Sequence, residues 1–331
     1  MVRIRRNSFL VLMAVFLVLV LVAGCAPKAE PPAGGEKKEE PAETKFVNIA
    51  TGGTAGTYFP LGGAIADILN KNVDGVNASA QSTGASVANI NMLKDGSVEM
   101  GFIQNDITYY AASGSEMFQD KKVDGLRGIA TLYPETVQIV TLGKTGIKNI
   151  EGMKGKRVAV GAAGSGTEAN ARQILEAYGI TYQDITVQYL SFAEAASNLK
   201  DGNVDAAFVT AGFPTAAIQD IAAQHEVVLL PVAEDIADKL IEKYPFYTKV
   251  IIPKDTYPKQ AEDVNAVAVM AMLVVTDQMD EQLAYDITKA IYSNLDRLQT
   301  AHAVGKMITK ETALDGMSVE LHPGADKYFK E

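Results

Sequence analysis

From residue 46 onward, short apolar and β-branched runs alternate with stretches whose apolar side chains recur every three or four positions. Gly, Pro, Asn and Asp separate the two kinds of segment. The runs at 46–50, 100–103, 137–142, 157–160, 185–189, 206–209 and 227–230 predict strands. The helical period predicts helices at 61–70, 87–93, 169–178, 193–199 and 281–294. Strands that alternate with helices predict an α/β protein with largely parallel sheets. A longer apolar strand is expected at 267–275, with helices after it.

One stretch of this pattern occurs twice. Leu93-Lys94-Asp95-Gly96-Ser97-Val98-Glu99-Met100-Gly101-Phe102 returns as Leu199-Lys200-Asp201-Gly202-Asn203-Val204-Asp205-Ala206-Ala207-Phe208. At nearly the same distance upstream of each copy lies a glycine-rich loop, Thr51-Gly52-Gly53-Thr54-Ala55-Gly56-Thr57 and then Gly161-Ala162-Ala163-Gly164-Ser165-Gly166-Thr167. Each copy reads as a helix that ends on glycine, a tight turn and a strand. A repeat of this length means duplicated domains, since solenoid repeats are far shorter. The expected organisation is two βαβαβ lobes, 46–142 plus 265–331 and 143–264. The segment 137–142 would lead out and 267–275 would lead back, giving a two-strand hinge around a ligand cleft.

The N-terminal segment has a different character. Arg3, Arg5 and Arg6 precede an apolar run at 9–22, the layout of a secretory leader and too short for a comfortable membrane span. It ends in Leu21-Val22-Ala23-Gly24-Cys25, which resembles a bacterial lipoprotein signal. The expectation is a leader over 1–24, lipidation at Cys25 and a flexible tether over 25–45. Four prolines, five glutamates and no large apolar side chain between Ala26 and Lys45 suit a tether. Cys25 is the sole cysteine, so no internal disulfide is available and stability must come from a core. The remaining length and the 47% hydrophobic composition are sufficient for about two domains.

Charge narrows the partners. The whole chain carries a formal −10, and loss of the leader arginines makes it three units more negative. Such a surface disfavours nucleic acid and anionic membranes. The lipid at Cys25 is then the expected link to the cell membrane or periplasmic face, and a monomer is the default.

In open α/β sheets ligands lie beyond the carboxyl ends of the strands, where both glycine loops are expected. Each loop opens a helix whose unpaired N–H groups and positive dipole end suit an anion. Thr54, Thr57 and Tyr58 offer hydroxyls from one side, and Ser165 and Thr167 from the other. Ser82-Thr83-Gly84-Ala85-Ser86 and Gln104-Asn105-Asp106 bring further donors to strand ends, with Thr210-Ala211-Gly212-Phe213-Pro214 as the counterpart. Asp106 either caps the following helix or meets an amino group. Tyr133 and Phe213 either line the cleft or pack beneath it. The candidate ligand-binding set is Thr54, Gly56, Thr57, Tyr58, Ser82, Thr83, Gly84, Ser86, Gln104, Tyr133, Ser165, Gly166, Thr167 and Phe213.

Enzymatic readings find little support. The second glycine loop lacks the lysine of a phosphate loop, and neither loop has the dinucleotide pattern. His225, His302 and His322 fall outside the cleft segments, leaving a zinc site or a thiol nucleophile without ligands. No cofactor, metal or catalytic residue is therefore expected. Arg172 suits a carboxylate clamp by chemistry, yet its place on a helix favours a structural ion pair.

The motifs Ile49-Ala50-Thr51-Gly52-Gly53-Thr54-Ala55-Gly56-Thr57-Tyr58-Phe59-Pro60, Ser82-Thr83-Gly84-Ala85-Ser86-Val87, Gln104-Asn105-Asp106 and Gly164-Ser165-Gly166-Thr167-Glu168 resemble the TAXI family. These are solute receptors of tripartite ATP-independent periplasmic (TRAP) transporters. Ala55 and Phe59 stand where that family often has glycine and tyrosine. The resemblance implies a type II periplasmic-binding-protein fold, no enzymatic activity and a fused QM-type membrane permease as partner. It also implies glutamate, glutamine or a dicarboxylate such as 2-oxoglutarate as ligand. A sensor protein that reports the same ligand to a membrane signalling partner is the alternative.

Overall fold

The computed structural model describes residues 44–331. The expected leader, the lipidation site Cys25 and the tether up to residue 43 lie outside the described residues. Lys45, placed at the end of that tether by composition, begins the first strand.

In chain order the elements are β1 (Lys45–Ala50), α1 (Tyr58–Asn72), β2 (Val76–Gln81), α2 (Ser86–Lys94), β3 (Met100–Gln104), α3 (Asn105–Ser113) and β4 (Leu126–Leu142). Then follow β5 (Arg157–Ala159), α4 (Gly166–Ala177), β6 (Thr186–Gln188), α5 (Phe192–Asp201), β7 (Ala206–Ala211), α6 (Ala216–Ala222), β8 (Val227–Leu229), α7 (Glu234–Lys243) and β9 (Thr248–Ile252). The chain closes with β10 (Val264–Thr276), α8 (Glu281–Tyr292), α9 (Leu295–Ala301) and α10 (Pro323–Phe329).

The strand order β2-β1-β3-β10-β4-β7-β5-β6 reads as two equivalent halves. In each, two parallel pairings carry three strands, and a long antiparallel strand completes the half. The long strands β10 and β4 pair with each other at the centre. β4 pairs with β10 up to Thr136 and with β7 from Thr136 onward, so one strand serves both halves. Every residue of β3 and β7 is buried, as expected of central strands covered on both faces.

The sequence echo has a structural cause that the residues alone did not disclose. Gly96 and Gly202, both at positive φ, end α2 and α5, and their N–H groups donate to Leu93 and Leu199 carbonyls. Three residues on, the acid of each copy reaches back to the first strand of its half. Glu99 Oε2 accepts the Asn48 N–H at 2.7 Å, and Asp205 Oδ2 accepts the Arg157 N–H at 2.9 Å. The Glu99 and Asp205 N–H groups in turn donate to the Asn48 and Arg157 carbonyls. Each acid thus supplies an acceptor for a strand end and fixes β3 against β1, or β7 against β5.

Further strands lie where periodicity gave no signal. β2 alternates polar and small residues with a single fully buried side chain, Ala78, and β9 is a largely exposed edge strand. The first half of β4 is buried from Gly128 to Tyr133, between the half-buried Arg127 and Pro134.

Candidate functional site

The carboxyl ends of β1, β3, β5 and β7 converge on one cavity of about 60 Å³. A single water needs on the order of 10–15 Å³ by the same measure, so the space suits a small solute. Its wall takes Gly52, Gly53, Gly56, Thr57 and Tyr58 from the first glycine loop, and Ala162, Ser165, Gly166 and Thr167 from the second. Thr83, Gly84, Ala85 and Ser86 close one side; Gln104, Tyr133 and Glu135 form the interior; Ser191, Phe192, Thr210 and Ala211 complete the other side.

Of the residues proposed from sequence, Thr54, Ser82 and Phe213 fall outside this wall. A turn closed by the Gly56 N–H on the Gly53 carbonyl lifts Thr54 into solvent. Ser82 is exposed and its hydroxyl donates to the Gly52 carbonyl at 3.0 Å. Phe213 is half-buried and packs on the apolar cluster beneath β7. Sequence reasoning passed over Glu135, Ser191 and Phe192. Phe192 carries no motif; its ring is brought against Gly56, where an added Cβ would meet it at 3.3 Å. Glu135 carried a signal of a kind, since it is an acid inside an apolar strand.

The helix ends are not equally free. At α4 the Ser165 hydroxyl accepts the Glu168 N–H at 3.1 Å, an N-cap that leaves the Gly166 and Thr167 N–H groups without an internal acceptor. At α1 no side chain caps the helix, so the Tyr58 and Phe59 N–H groups are likewise unpaired. α2 differs: its Val87 and Ala88 N–H groups donate across the cavity mouth to the Gly164 carbonyl at 3.1 and 3.2 Å. The α2 terminus is therefore spent on joining the two halves of the sheet. The Ala217 N–H on the Ala55 carbonyl (3.2 Å) and the Thr57 hydroxyl on the Gly212 carbonyl (3.4 Å) join them again. Ala85, which precedes α2, holds φ 70° and ψ −150°, a region nearly confined to glycine, and so carries backbone strain at the cavity wall.

Behind the cavity runs a buried polar chain. Gln104 Nε2 donates to Asn170 Oδ1 at 3.1 Å, and Asn170 Nδ2 donates to Asp106 Oδ2 and to the Tyr247 hydroxyl at 3.1 and 2.9 Å. Tyr247 donates to Gln173 Oε1 at 2.7 Å. Asp106 also accepts the Ile107 N–H at 2.8 Å in the first turn of α3, so its two oxygens are both engaged. Burial is the main cause that pushes Asp106 up to about 7. Arg172 makes ion pairs with Glu116 and Glu176 at 3.7 and 3.9 Å and does not enter the cavity.

The NMT1-like family model matches residues 49–331. The chain belongs to the NMT1-like family. Among solved structures, this NMT1-like protein is similar to PhnD1 from Prochlorococcus marinus in complex with methylphosphonate, at 10% identity and a TM-score of 0.54, covering 80% of this chain and 91% of that one. A structure from Bordetella bronchiseptica RB50 matches at 17% identity and a TM-score of 0.53, over 86% and 88% of the two chains. The alkanesulfonate-binding protein SsuA from Xanthomonas axonopodis pv. citri bound to MOPS matches at 16% identity and a TM-score of 0.48, over 88% and 85%. The first two likenesses carry the fold. The chain has the type II periplasmic-binding-protein fold, with the cavity where the strand ends of the two halves meet.

Proposed function

We propose that this chain is an extracytoplasmic solute-binding protein that closes two lobes, 46–142 plus 265–331 and 143–264, over a small carboxylate and delivers it to a transporter. The observation that carries this reading is the cavity itself: it is small, lies between the two halves of the sheet, and is lined by the unpaired N–H groups of α1 and α4. Those two helix ends receive the carboxylate, and Thr57, Ser165 and Thr167 supply hydroxyls beside them. The four main-chain and hydroxyl bonds across the mouth support a closed, solute-retaining state. The PhnD1 structure is in complex with methylphosphonate, which fits an acid-binding role for the fold.

The transporter is read as a TRAP system of the TAXI type, from the motifs at 49–60, 82–87, 104–106 and 164–168. A fused membrane permease is the partner, and Cys25 carries the lipid that keeps a monomeric receptor at the membrane. No reaction chemistry is asked of the site.

A thermal-shift screen of the purified protein against amino acids, dicarboxylates, 2-oxo acids and neutral sugars tests the reading. A ligand at a hundred times its Kd stabilises the folded state by about 2.7 kcal/mol. A shift with one class of small acid is expected. Shifts confined to neutral solutes would show that the two helix ends are only structural.

A further inference from the structure

The helix ends account for a carboxylate, but they do not account for the interior of the cavity. Glu135 is 2% exposed, and its Oε1 has no hydrogen-bond partner; Gln104 is equally buried, and its Oε1 has none either. Buried polar atoms are ordinarily satisfied, so two acceptors in one small cavity with only the hydroxyls of Tyr58, Tyr133 and Thr210 beside them leave room for donors carried by a ligand. Among the residues lining the cavity none is Lys, Arg or His.

The orientation of Gln104 follows from the chain behind it. The Asp106 carboxyl accepts from the Asn170 amide nitrogen, which turns the Asn170 oxygen toward Gln104. Gln104 must then present its nitrogen to Asn170 and, at 3.5 Å, to Glu135 Oε2. Its oxygen is left for the cavity, against the first turn of α4 at Gly166. The network therefore arranges acceptors at the cavity floor, while the helix ends arrange donors at its rim. A dicarboxylate would bring its second anion to a floor of acceptors with no cation nearby, at a cost that rises in so dry a site.

We propose that this floor is a cation subsite, in which Glu135 and Gln104 accept hydrogen bonds from a ligand ammonium, so that the chain selects an amino acid over the 2-oxo acid or dicarboxylate of the same skeleton. The inference rests on the receptor reading above and resolves its ligand class. The buried hydroxyls of Tyr58, Tyr133 and Thr210 are the remaining polar groups at hand for the ammonium. Tyr58 comes from α1, Tyr133 from β4 beside Glu135, and Asp106 from α3; these are the ionisable groups that face the Glu135 carboxyl. In the empty cavity burial pushes Glu135 up to about 8. At neutral pH it thus holds a proton, and an arriving ammonium favours the carboxylate. The proton leaves to solvent, up to one for each ligand bound.

Titration calorimetry on the full chain tests this with three matched pairs: glutamate with 2-oxoglutarate, alanine with pyruvate, and leucine with 4-methyl-2-oxopentanoate. Within the pair that binds, the amino member should be at least tenfold tighter. Its heat at pH 7 should differ between phosphate and Tris buffers, as proton release requires. Glu135→Gln should weaken the amino acid tenfold or more, leave the 2-oxo acid within about threefold, and abolish the buffer dependence. A 2-oxo acid that binds as tightly as its amino partner, or a preference that survives Glu135→Gln, overturns the cation subsite and leaves the receptor reading standing. Binding of neither member of any pair, with a neutral solute bound instead, overturns both.

Discussion

Gln104 Nε2 and Asn170 Oδ1 meet at 3.1 Å and so tie the carboxyl end of β3 to the second turn of α4, across the two halves of the sheet. This contact makes the polar chain behind the cavity part of how the halves are held. Asn170→Ala removes the partner of Gln104, one partner of Asp106 and one of Tyr247 at a stroke. Each stranded buried group costs on the order of 1–3 kcal/mol. Urea denaturation should show a fall of at least about 2 kcal/mol, and ligand affinity should drop with it, because Gln104 is no longer held.

Gly166 tests the same junction from the other side. An added Cβ there would run into the Gln104 side chain, which cannot swing away without leaving Asn170 and Glu135. Gly166→Ala is expected to weaken ligand binding by tenfold or more, about 1.4 kcal/mol, while the ligand-free fold persists in circular dichroism.

Two substitutions separate the cavity wall from its surroundings. Phe192, which covers Gly56 at the start of α5, should lose on the order of tenfold in affinity as Phe192→Ala. Thr54, lifted out of the cavity by its turn, should stay within twofold as Thr54→Ala in the same titration.

The strand and helix pattern and the duplicated helix-turn-strand were legible from residue 46 onward because periodicity reports burial on one face, and the cavity is where two such patterns meet. What stayed hidden depends on contacts distant in sequence. Glu135 sits in an apolar strand, and only the arrival of Tyr58 from α1 and Gln104 from β3 makes it part of a cavity. The anion-friendly start of α2 was legible as a motif, but its N–H groups go to Gly164, a partner that sequence cannot pair with it. Thr54 shows the converse: the motif includes it, and a local turn removes it.

Stability should fall between about pH 6.5 and 8 in the ligand-free protein. Asp106 and Glu135 are raised by burial to about 7 and about 8, so across this window the folded state holds protons that the unfolded state has lost. Their contribution is complete at low pH and disappears as pH rises through the folded values. His302 and His322 are lowered, mainly by burial, and act with the opposite sign below about 6.5. The half-buried Asp67 and the exposed Asp184, Glu194 and Asp280, each lowered by hydrogen bonds, act only near and below pH 4. Denaturation midpoints at pH 6.5 and 8 should therefore decline in the parent protein and flatten in Glu135→Gln; a midpoint that climbs over this range would reverse the assigned signs.

A small acid held between the two halves of the sheet should draw them together, and small-angle X-ray scattering measures that directly. The radius of gyration of the chain, recorded with and without a saturating concentration of the acid found by thermal shift, should decrease on binding as the bonds from Gly164, Ala55 and Gly212 form across the cavity mouth. An unchanged radius at saturation would contradict closure around the solute.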